Sequence, residues 1–334
     1  MTGATSNVNP RLDSRQRRIW EIVSQSPAES LWNLQGVPVR AVASRILKAV
    51  YADRLPGHAA ELGFYFLFAV FPTLFCASSI LGLVARSAYQ VYDKLLDHLA
   101  LVIPNSALGA VLNTFDETTV AASSGKVTFG LVAAVWSGSI GISAIQDTLN
   151  IVYKIEDSRS YFIARLHAIG LTVVLTIIIS LGLACLLGGD YLAALAKLNL
   201  YDPHLAMAAT VAARVAGLIM AAALLNLSFA VIYYWAPDLK KRRWHWLTPG
   251  GVLGLLGWFL ASLGLRAYLH YFDNYSLIYG SLGAVIILLT WFYITGLMLL
   301  LGAAINSEIE AAAAEMRLAD DAPPQSNGPS EPKA

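Results

Sequence analysis

The polar residues with the clearest regular spacing lie in an otherwise apolar stretch, residues 127–152. They are Ser139, Ser143, Asp147 and Asn150, with Gln146 beside them. Intervals of three or four residues place side chains on one face of an α-helix. A carboxylate inside a membrane helix is by default a candidate functional group, so this stripe either faces a polar cavity or marks a helix end that protrudes into water. In the first case Ser143, Asp147 and Asn150 are candidate substrate-binding residues.

Two arginines in other apolar stretches supply positive charge for a candidate anion site. Arg214 lies about two helical turns, roughly 9 Å, from the outer end of its span, and Arg266 lies near the outer end of the next span. A guanidinium group can bind a carboxylate or phosphate through two hydrogen bonds. With the hydroxyl of Tyr279, the two arginines would form a substrate-binding pocket reached from outside the membrane. The alternative is that each arginine forms a structural ion pair with one of the outer aspartates, which are Asp190, Asp202 and Asp273.

Residues for metal-dependent or nucleophilic catalysis form no recognisable pattern. The six histidines are scattered, and no pair has the spacing of metal ligands on a helix. The sequence contains no Gly-rich phosphate loop, nucleophile elbow or Walker motif. The basic run at 240–243 is typical of a loop that flanks a membrane helix rather than of a nucleic-acid surface. We therefore predict no enzymatic activity, catalytic residue, metal, cofactor or nucleic-acid partner.

The composition indicates what kind of protein must position these residues. The chain is 57% hydrophobic and 13% charged, with a net charge of +1, whereas about a quarter of the residues in a soluble domain are charged. Six apolar stretches are long enough to cross about 30 Å of hydrocarbon as helices. They are residues 59–84, 127–152, 166–188, 208–235, 248–270 and 276–305. The predicted fold class is therefore an all-α polytopic membrane protein with six transmembrane helices.

The segments outside these spans complete the predicted domain organisation. Residues 1–58 are a basic N-terminal segment, in which an amphipathic helix either lies on an anionic membrane surface or is solvated. Residues 59–310 form the membrane domain, with a loop of short helices at 86–126 and an outer loop at 189–207. The residues from 311 to 334 are predicted to be a disordered tail.

The distribution of lysine and arginine predicts the orientation of the chain. Eight lie in the N-terminal segment, three in 153–165 and four in 236–247. The opposite loops carry three in 86–126 and one in 189–207. Because positive residues are enriched in cytoplasmic loops, we predict a multi-pass protein of the bacterial inner membrane with both termini in the cytoplasm.

A stripe of small residues in the fifth span predicts close helix packing. The stripe consists of Gly250, Gly254, Gly257, Ala261 and Gly264. Their intervals of three and four residues place them on one face, where small side chains allow two membrane helices to approach closely.

Four stretches of the sequence resemble the YihY/BrkB family of bacterial inner-membrane proteins, once labelled ribonuclease BN. The stretches are FYFLFAVFPTLF at 64–75, WSGSIGISAIQDTLNIVYKIEDSRS at 136–160, YYWAPDLKKRRWHWLTPGGVLGLLGWFLASLGLRAYLHYF at 233–272 and YSLIYGSLGAVIILLTWFYITGLMLLLGAAINSEIE at 275–310. The resemblance implies a six-helix membrane fold and links to serum resistance, envelope lipid handling and solute export. It implies no catalytic residues, because the ribonuclease label is regarded as a misassignment and the family has no settled activity.

Two functions remain open from the sequence. The first is a transporter or exporter that uses no ATP and moves an anionic solute or lipid, consistent with the polar second span and with Arg214. The second is a structural or lipid-interacting envelope factor that moves nothing. A ribonuclease is the least favoured alternative. The predicted partners are the lipid bilayer and an anionic solute or lipid headgroup.

Overall fold

The structure is a computed structural model that describes residues 7–27, 31–32, 38–84, 124–199, 202–271 and 282–320. The described residues form eight helices and one isolated antiparallel bridge between Val8 and Ile155. The helices are α1 Ser14–Gln25, α2 Val39–Ala52, α3 Leu55–Val84, α4 Ser124–Val152, α5 Tyr161–Asn199, α6 Pro203–Trp235, α7 Pro249–Tyr271 and α8 Leu282–Asp320.

Helices α3 to α8 are each long and apolar enough to cross a membrane. They confirm the predicted all-α fold with six membrane-spanning helices. The helices pack mainly as the pairs α3–α4, α5–α6 and α7–α8, and α8 also packs along α3. The predicted loop at 86–126 lies largely outside the described residues, because α4 begins only at Ser124.

The predicted outer loop at 189–207 is instead mostly helical. Helix α5 continues to Asn199, and α6 begins at Pro203. The carboxylate of Asp202 accepts hydrogen bonds from the backbone amides of His204 and Leu205, which caps the N-terminus of α6. The loop was predicted because the segment contains charged residues such as Asp190. Its alanine and leucine content nevertheless favours a helix that extends beyond the bilayer.

The prediction of a disordered tail from residue 311 is also wrong at its start, because α8 continues to Asp320. Ala311 and Ala314 are buried in the same core cluster as Trp20 of α1. Arg15 of α1 and Arg45 of α2 both form ion pairs with Glu315. Packing against the N-terminal helices therefore extends α8, since alanine is a strong helix former whose small side chain permits a close contact.

Segments that are far apart in sequence come together at one end of the helical bundle, here named the polar end. It consists of residues 7–27, 38–54, 153–160, 236–248 and 306–320. The amide of Asn9 donates to the carbonyl of Lys154, and the amide of Lys241 donates to the carbonyl of Ser24. Together with the ion pairs of Glu315, these contacts bring the four segments predicted to be cytoplasmic to the same end of the bundle.

Cysteine labelling will test whether the polar end is cytoplasmic. A single cysteine, Glu156→Cys at the polar end or His204→Cys at the other end, is introduced after both native cysteines are replaced (Cys76→Ala and Cys185→Ala). Glu156 and His204 are both exposed. We expect an impermeant thiol reagent added to spheroplasts to label position 204 and not position 156. The reverse pattern would show the opposite orientation.

Candidate functional site

The most unusual charge in the described membrane region belongs to Arg165. The sequence assigns it to a loop before a span at 166–188, but α5 begins at Tyr161, so Arg165 lies in its second turn. Its guanidinium reaches α4, where Nη1 lies 3.3 Å from Ser143 Oγ and Nη2 lies 3.3 Å from the carbonyl oxygen of Trp136. The guanidinium carbon also lies 4.5 Å from the centre of the Trp136 ring, in a cation–π contact.

Arg165 contacts α4 well inside the part of that helix that is apolar enough to cross a membrane, Thr128–Val152. Ser143 precedes Val152, the last residue of α4, by nine residues, or about 13 Å along the helix axis. A membrane-spanning helix crosses about 30 Å of hydrocarbon, so this contact lies away from both ends of the candidate span. Charged side chains at such depth are rare and usually mark a substrate or ion pathway.

The partners of Arg165 are neutral and leave hydrogen-bonding capacity unused. Among the described residues, the ion pairs do not include Arg165. Its Nε is buried and has no hydrogen-bond partner within the described part of the chain. Both of its Nη contacts are at the long end of the hydrogen-bond range. An anionic group would supply the charge and the acceptors that this guanidinium lacks.

The polar stripe of α4 supports the same groove between α4 and α5, here named the Arg165 groove. It comprises Arg165 with its two contacts Trp136 and Ser143, and the buried residues Ser139 and Gln146 of the same α4 stripe. Ser139 and Ser143 are satisfied locally, because their hydroxyls donate to the carbonyls of Trp136 and Ser139. Gln146 is only 2% exposed, and none of the described residues supplies a hydrogen-bond partner for its Nε2. Trp136 is 56% exposed, so the groove opens on the surface of the helix pair.

Asn150, predicted as a substrate-binding residue, takes part in a hydrogen-bond network at the polar end. Its Oδ1 accepts a hydrogen bond from the backbone amide of Asp238 at 2.8 Å, and its Nδ2 donates to Asp157 Oδ2 at 3.1 Å. Asp157 also accepts from Nε of Arg159 at 2.8 Å. Asp238 in turn accepts from the amide of Ser158. This network joins the end of α4 to the loop at 153–160 and to the loop at 236–248. We name it the Asn150 clasp.

The charges of the clasp stabilise one another. Partial burial by itself would raise the pKa of Asp157, but hydrogen bonds from Arg159 and Asn150 and the positive charge of Arg159 lower it overall. The hydrogen bond to Asp157 is likewise the main reason why the pKa of Arg159 is raised. Asp157 is therefore ionised in the folded protein at neutral pH.

Acid is expected to weaken this clasp. Because the folded pKa of Asp157 lies below its unfolded value of about 3.9, its stabilising contribution is present above that value. The contribution is lost as the pH falls through the folded pKa. The unfolding temperature of the purified protein should therefore fall more steeply in acid for the wild type than for Asp157→Asn. Glu156→Gln, at the exposed neighbouring carboxylate, should behave like the wild type; equal slopes for all three would contradict the prediction.

The other predicted binding residues have separate surroundings. Asp147 is exposed on the surface of α4. Arg214 of α6 pairs with Asp190 of α5, with 3.2 Å between Nε and Oδ1, so it forms the ion pair that the sequence offered as the alternative to an anion site. Arg266 is exposed on α7, which packs mainly on α8 and less extensively on α6. Tyr279 lies outside the described residues.

The predicted packing stripe lies partly against α8. A Cβ atom added to Gly250 would lie 1.9 Å from the carbonyl oxygen of Gly302, and one added to Gly254 would lie 3.0 Å from that of Met298. One added to Gly257 would meet only the Met298 sulfur, at 3.0 Å. Ala261 is half-buried, and no described residue outside the helix's own backbone lies within 4 Å of a Cβ added to Gly264. The close contact is therefore concentrated at the start of α7.

Arg165 is not among the candidate site residues predicted from the sequence. The sequence assigns Arg165 to the predicted loop at 153–165, as one of the three positive charges there. Ser160, a residue type favoured at helix N-termini, is followed by apolar Tyr161, Phe162 and Ile163. That pattern signals a helix that begins before Arg165.

The fold and the groove define a polytopic α-helical membrane protein with a charged polar groove between two of its helices. Residues 46–326 match the family described as Virulence factor BrkB, and the chain belongs to this family. It is similar to YfkH of Bacillus subtilis, named as ribonuclease-like, with 32% identity over 250 residues that cover 74% of this chain and 87% of YfkH.

Relatives named only as UPF0761 membrane proteins show the same relationship at lower identity. The relative in Stenotrophomonas maltophilia is 28% identical over 267 residues, which cover 78% of this chain and 58% of that protein. The relative in Tolumonas auensis is 24% identical over 257 residues, which cover 77% of this chain and 81% of that protein. No solved structure matches the chain.

Proposed function

We propose that this protein transports or exports an anionic solute or an anionic lipid across the bacterial inner membrane without using ATP. The observation that carries the proposal is Arg165, whose guanidinium meets α4 about 13 Å before the end of that helix and whose described partners are neutral. A permanently charged group at this depth costs roughly 2.5–3.5 kcal/mol on insertion scales. The role of Arg165 is to offset the free-energy cost of moving a negative charge through the hydrocarbon.

The surroundings of Arg165 suit transient rather than tight binding. Its contacts with Ser143 and Trp136 are long and neutral, so an arriving anion displaces little. The unpartnered amide nitrogen of Gln146 supplies a further hydrogen-bond donor on the same face of α4. The exposure of Trp136 gives access from the membrane-facing surface, which suits an anionic lipid as well as a soluble anion.

Transport is preferred here over the activity in the name of the Bacillus relative. The groove contains a cation, an amide, hydroxyls and an aromatic ring, which recognise charge. A nuclease would instead require clustered metal ligands or a nucleophile beside a base. We therefore propose that the protein is not an enzyme.

Flux measurements on proteoliposomes provide the test. The purified protein is reconstituted and assayed with a panel of radiolabelled organic anions and with a fluorescent anionic phospholipid whose movement between leaflets is followed by chemical quenching. We expect protein-dependent flux of at least one anionic class and none of a matched zwitterionic lipid or neutral solute. Folded protein that moves none of them would overturn the proposal and favour the structural role.

A further inference from the structure

A second polar site lies at the polar end, separate from the Arg165 groove. A partly open cavity of ≈ 40 Å³ is lined by the end of α6, the α6–α7 loop, the residue after α4, the extension of α8, and Pro27 and Leu31 of the N-terminal segment. Its polar lining includes Tyr153, Tyr233, Arg242, Thr248, Asn306 and Glu310. A buried water needs about 10–15 Å³ of such space, so the cavity has room for a few water molecules.

Glu310 is the least satisfied group in this cavity. The side chain of Glu310 is hydrogen-bonded to that of Tyr153, but Glu310 Oε2 is buried and has no hydrogen-bond partner in the segments that the structure describes. The residue as a whole is only 8% exposed. Among the described residues, no cation lies within ion-pair distance of Glu310. Burial disfavours the ionised form of a carboxyl group that has no paired cation.

The charged and titratable groups that line the cavity do not supply a paired cation for Glu310. Arg242, Arg243 and His245 line it from the α6–α7 loop, and Tyr233 and Tyr234 line it from α6. Burial lowers the pKa of Arg242, and its closest electrostatic partners are Arg159 and Asp238 rather than Glu310.

Tyr153 remains protonated and can donate to Glu310. Burial raises the pKa of Tyr153 well above its usual value, and the neighbouring Glu310 raises it further. Tyr153 directly follows Val152, the last residue of α4, and α4 carries Ser143 of the Arg165 groove. The contact between Tyr153 and Glu310 therefore links α8 to the helix that contacts Arg165.

We propose that Glu310 is a proton-binding site that couples the transport of an anion to the movement of a proton. Ionised Glu310 takes a proton from hydronium in the cavity, leaving a neutral carboxyl group and a water molecule, and releases it by the reverse step. Exposed Arg243, on the cavity wall, marks the connection to solvent. The coupling rests on the proposed transport function, whereas proton binding itself does not.

Infrared difference spectroscopy tests proton binding directly. The purified full-length protein is titrated from neutral to alkaline pH, and the carbonyl band of the protonated carboxyl group is followed. We expect a band that disappears in alkali for the wild type and for Glu308→Gln, and that is absent for Glu310→Gln. Tyr153→Phe, which removes the donor to the ionised form, should keep the band to a more alkaline pH. Identical titrations of wild type and Glu310→Gln would overturn the proposal.

Transport in proteoliposomes tests the coupling. A pH gradient should change the initial flux of the wild type severalfold, while Glu310→Gln should transport at a rate that does not respond to the gradient. Gradient-dependent flux by Glu310→Gln would overturn the coupling. If the wild type transports nothing but shows the band, the transport proposal and the coupling fail together and only the proton site stands.

Discussion

Arg165→Leu is expected to abolish anion flux in proteoliposomes without a loss of folded protein. The substitution removes the positive charge that offsets the cost of an anion inside the membrane. The two hydrogen bonds that Arg165 makes are both 3.3 Å long and end on neutral acceptors, so the fold loses little. Thermal unfolding in detergent and initial rates of flux are the two measurements.

Conservative replacement separates the charge of Arg165 from its shape. Arg165→Lys keeps the charge but loses the planar guanidinium and its stacking on Trp136, so we expect partial flux. Arg214→Leu is the matched control, because Arg214 is also an arginine in a membrane helix but pairs with Asp190. We expect this control to transport at nearly the normal rate and to be less stable. A wild-type rate for folded Arg165→Leu would refute the role of Arg165.

Gly250→Ala is expected to cause the largest loss of stability of any single methyl group added to α7. The new Cβ would lie 1.9 Å from the carbonyl oxygen of Gly302, a backbone atom that cannot rotate away. The amide of Gly250 also donates to Asn306 Oδ1 at 2.8 Å, so moving α7 away would break the bond that caps its start. Overpacking costs about 1–3 kcal/mol and occasionally more, and this contact should lie at the upper end.

Gly264→Ala supplies the control on the same helix and the same predicted stripe. Nothing lies within 4 Å of its added Cβ, and alanine is favoured over glycine in a helix by about 1 kcal/mol. We expect its unfolding temperature in detergent to equal or exceed that of the wild type. If both variants unfold at the same temperature, α7 and α8 do not cross at Gly250 and Gly302.

The stripe of small residues on α7 shows which features of helix packing the sequence periodicity predicts and which it does not. Spacings of three and four residues correctly place the small residues on one face, since 3.6 residues complete a helical turn. Periodicity cannot give the crossing point, because that depends on the tilt of α8 and on Gly302, more than fifty residues later. Only the structure shows that a Cβ added to Gly250 would meet the backbone of α8, whereas one added to Gly264 would meet no neighbour within 4 Å among the described residues.

For the polar residues too, the sequence shows which side chains share a helix face, but not which partners they contact. The stripe on α4 was visible as a pattern, but its members proved to have different partners: Ser143 meets Arg165, while Asn150 holds two loops together. Arg214 had three candidate aspartates in the sequence, and the close approach of α5 and α6 selects Asp190. The choice follows from helix packing, which a linear pattern does not contain.

The sequence by itself determined that this is a six-helix membrane protein, because apolar length and charge depletion are local properties that the bilayer selects directly. It also determined the family and where the small residues share a face. The tertiary structure decided where α5 begins, and hence that Arg165 lies within the membrane region, and that α8 extends along α1. It also decided that Glu310 faces a cavity. These features depend on contacts between segments distant in sequence, whose energies are set only when the helices pack together.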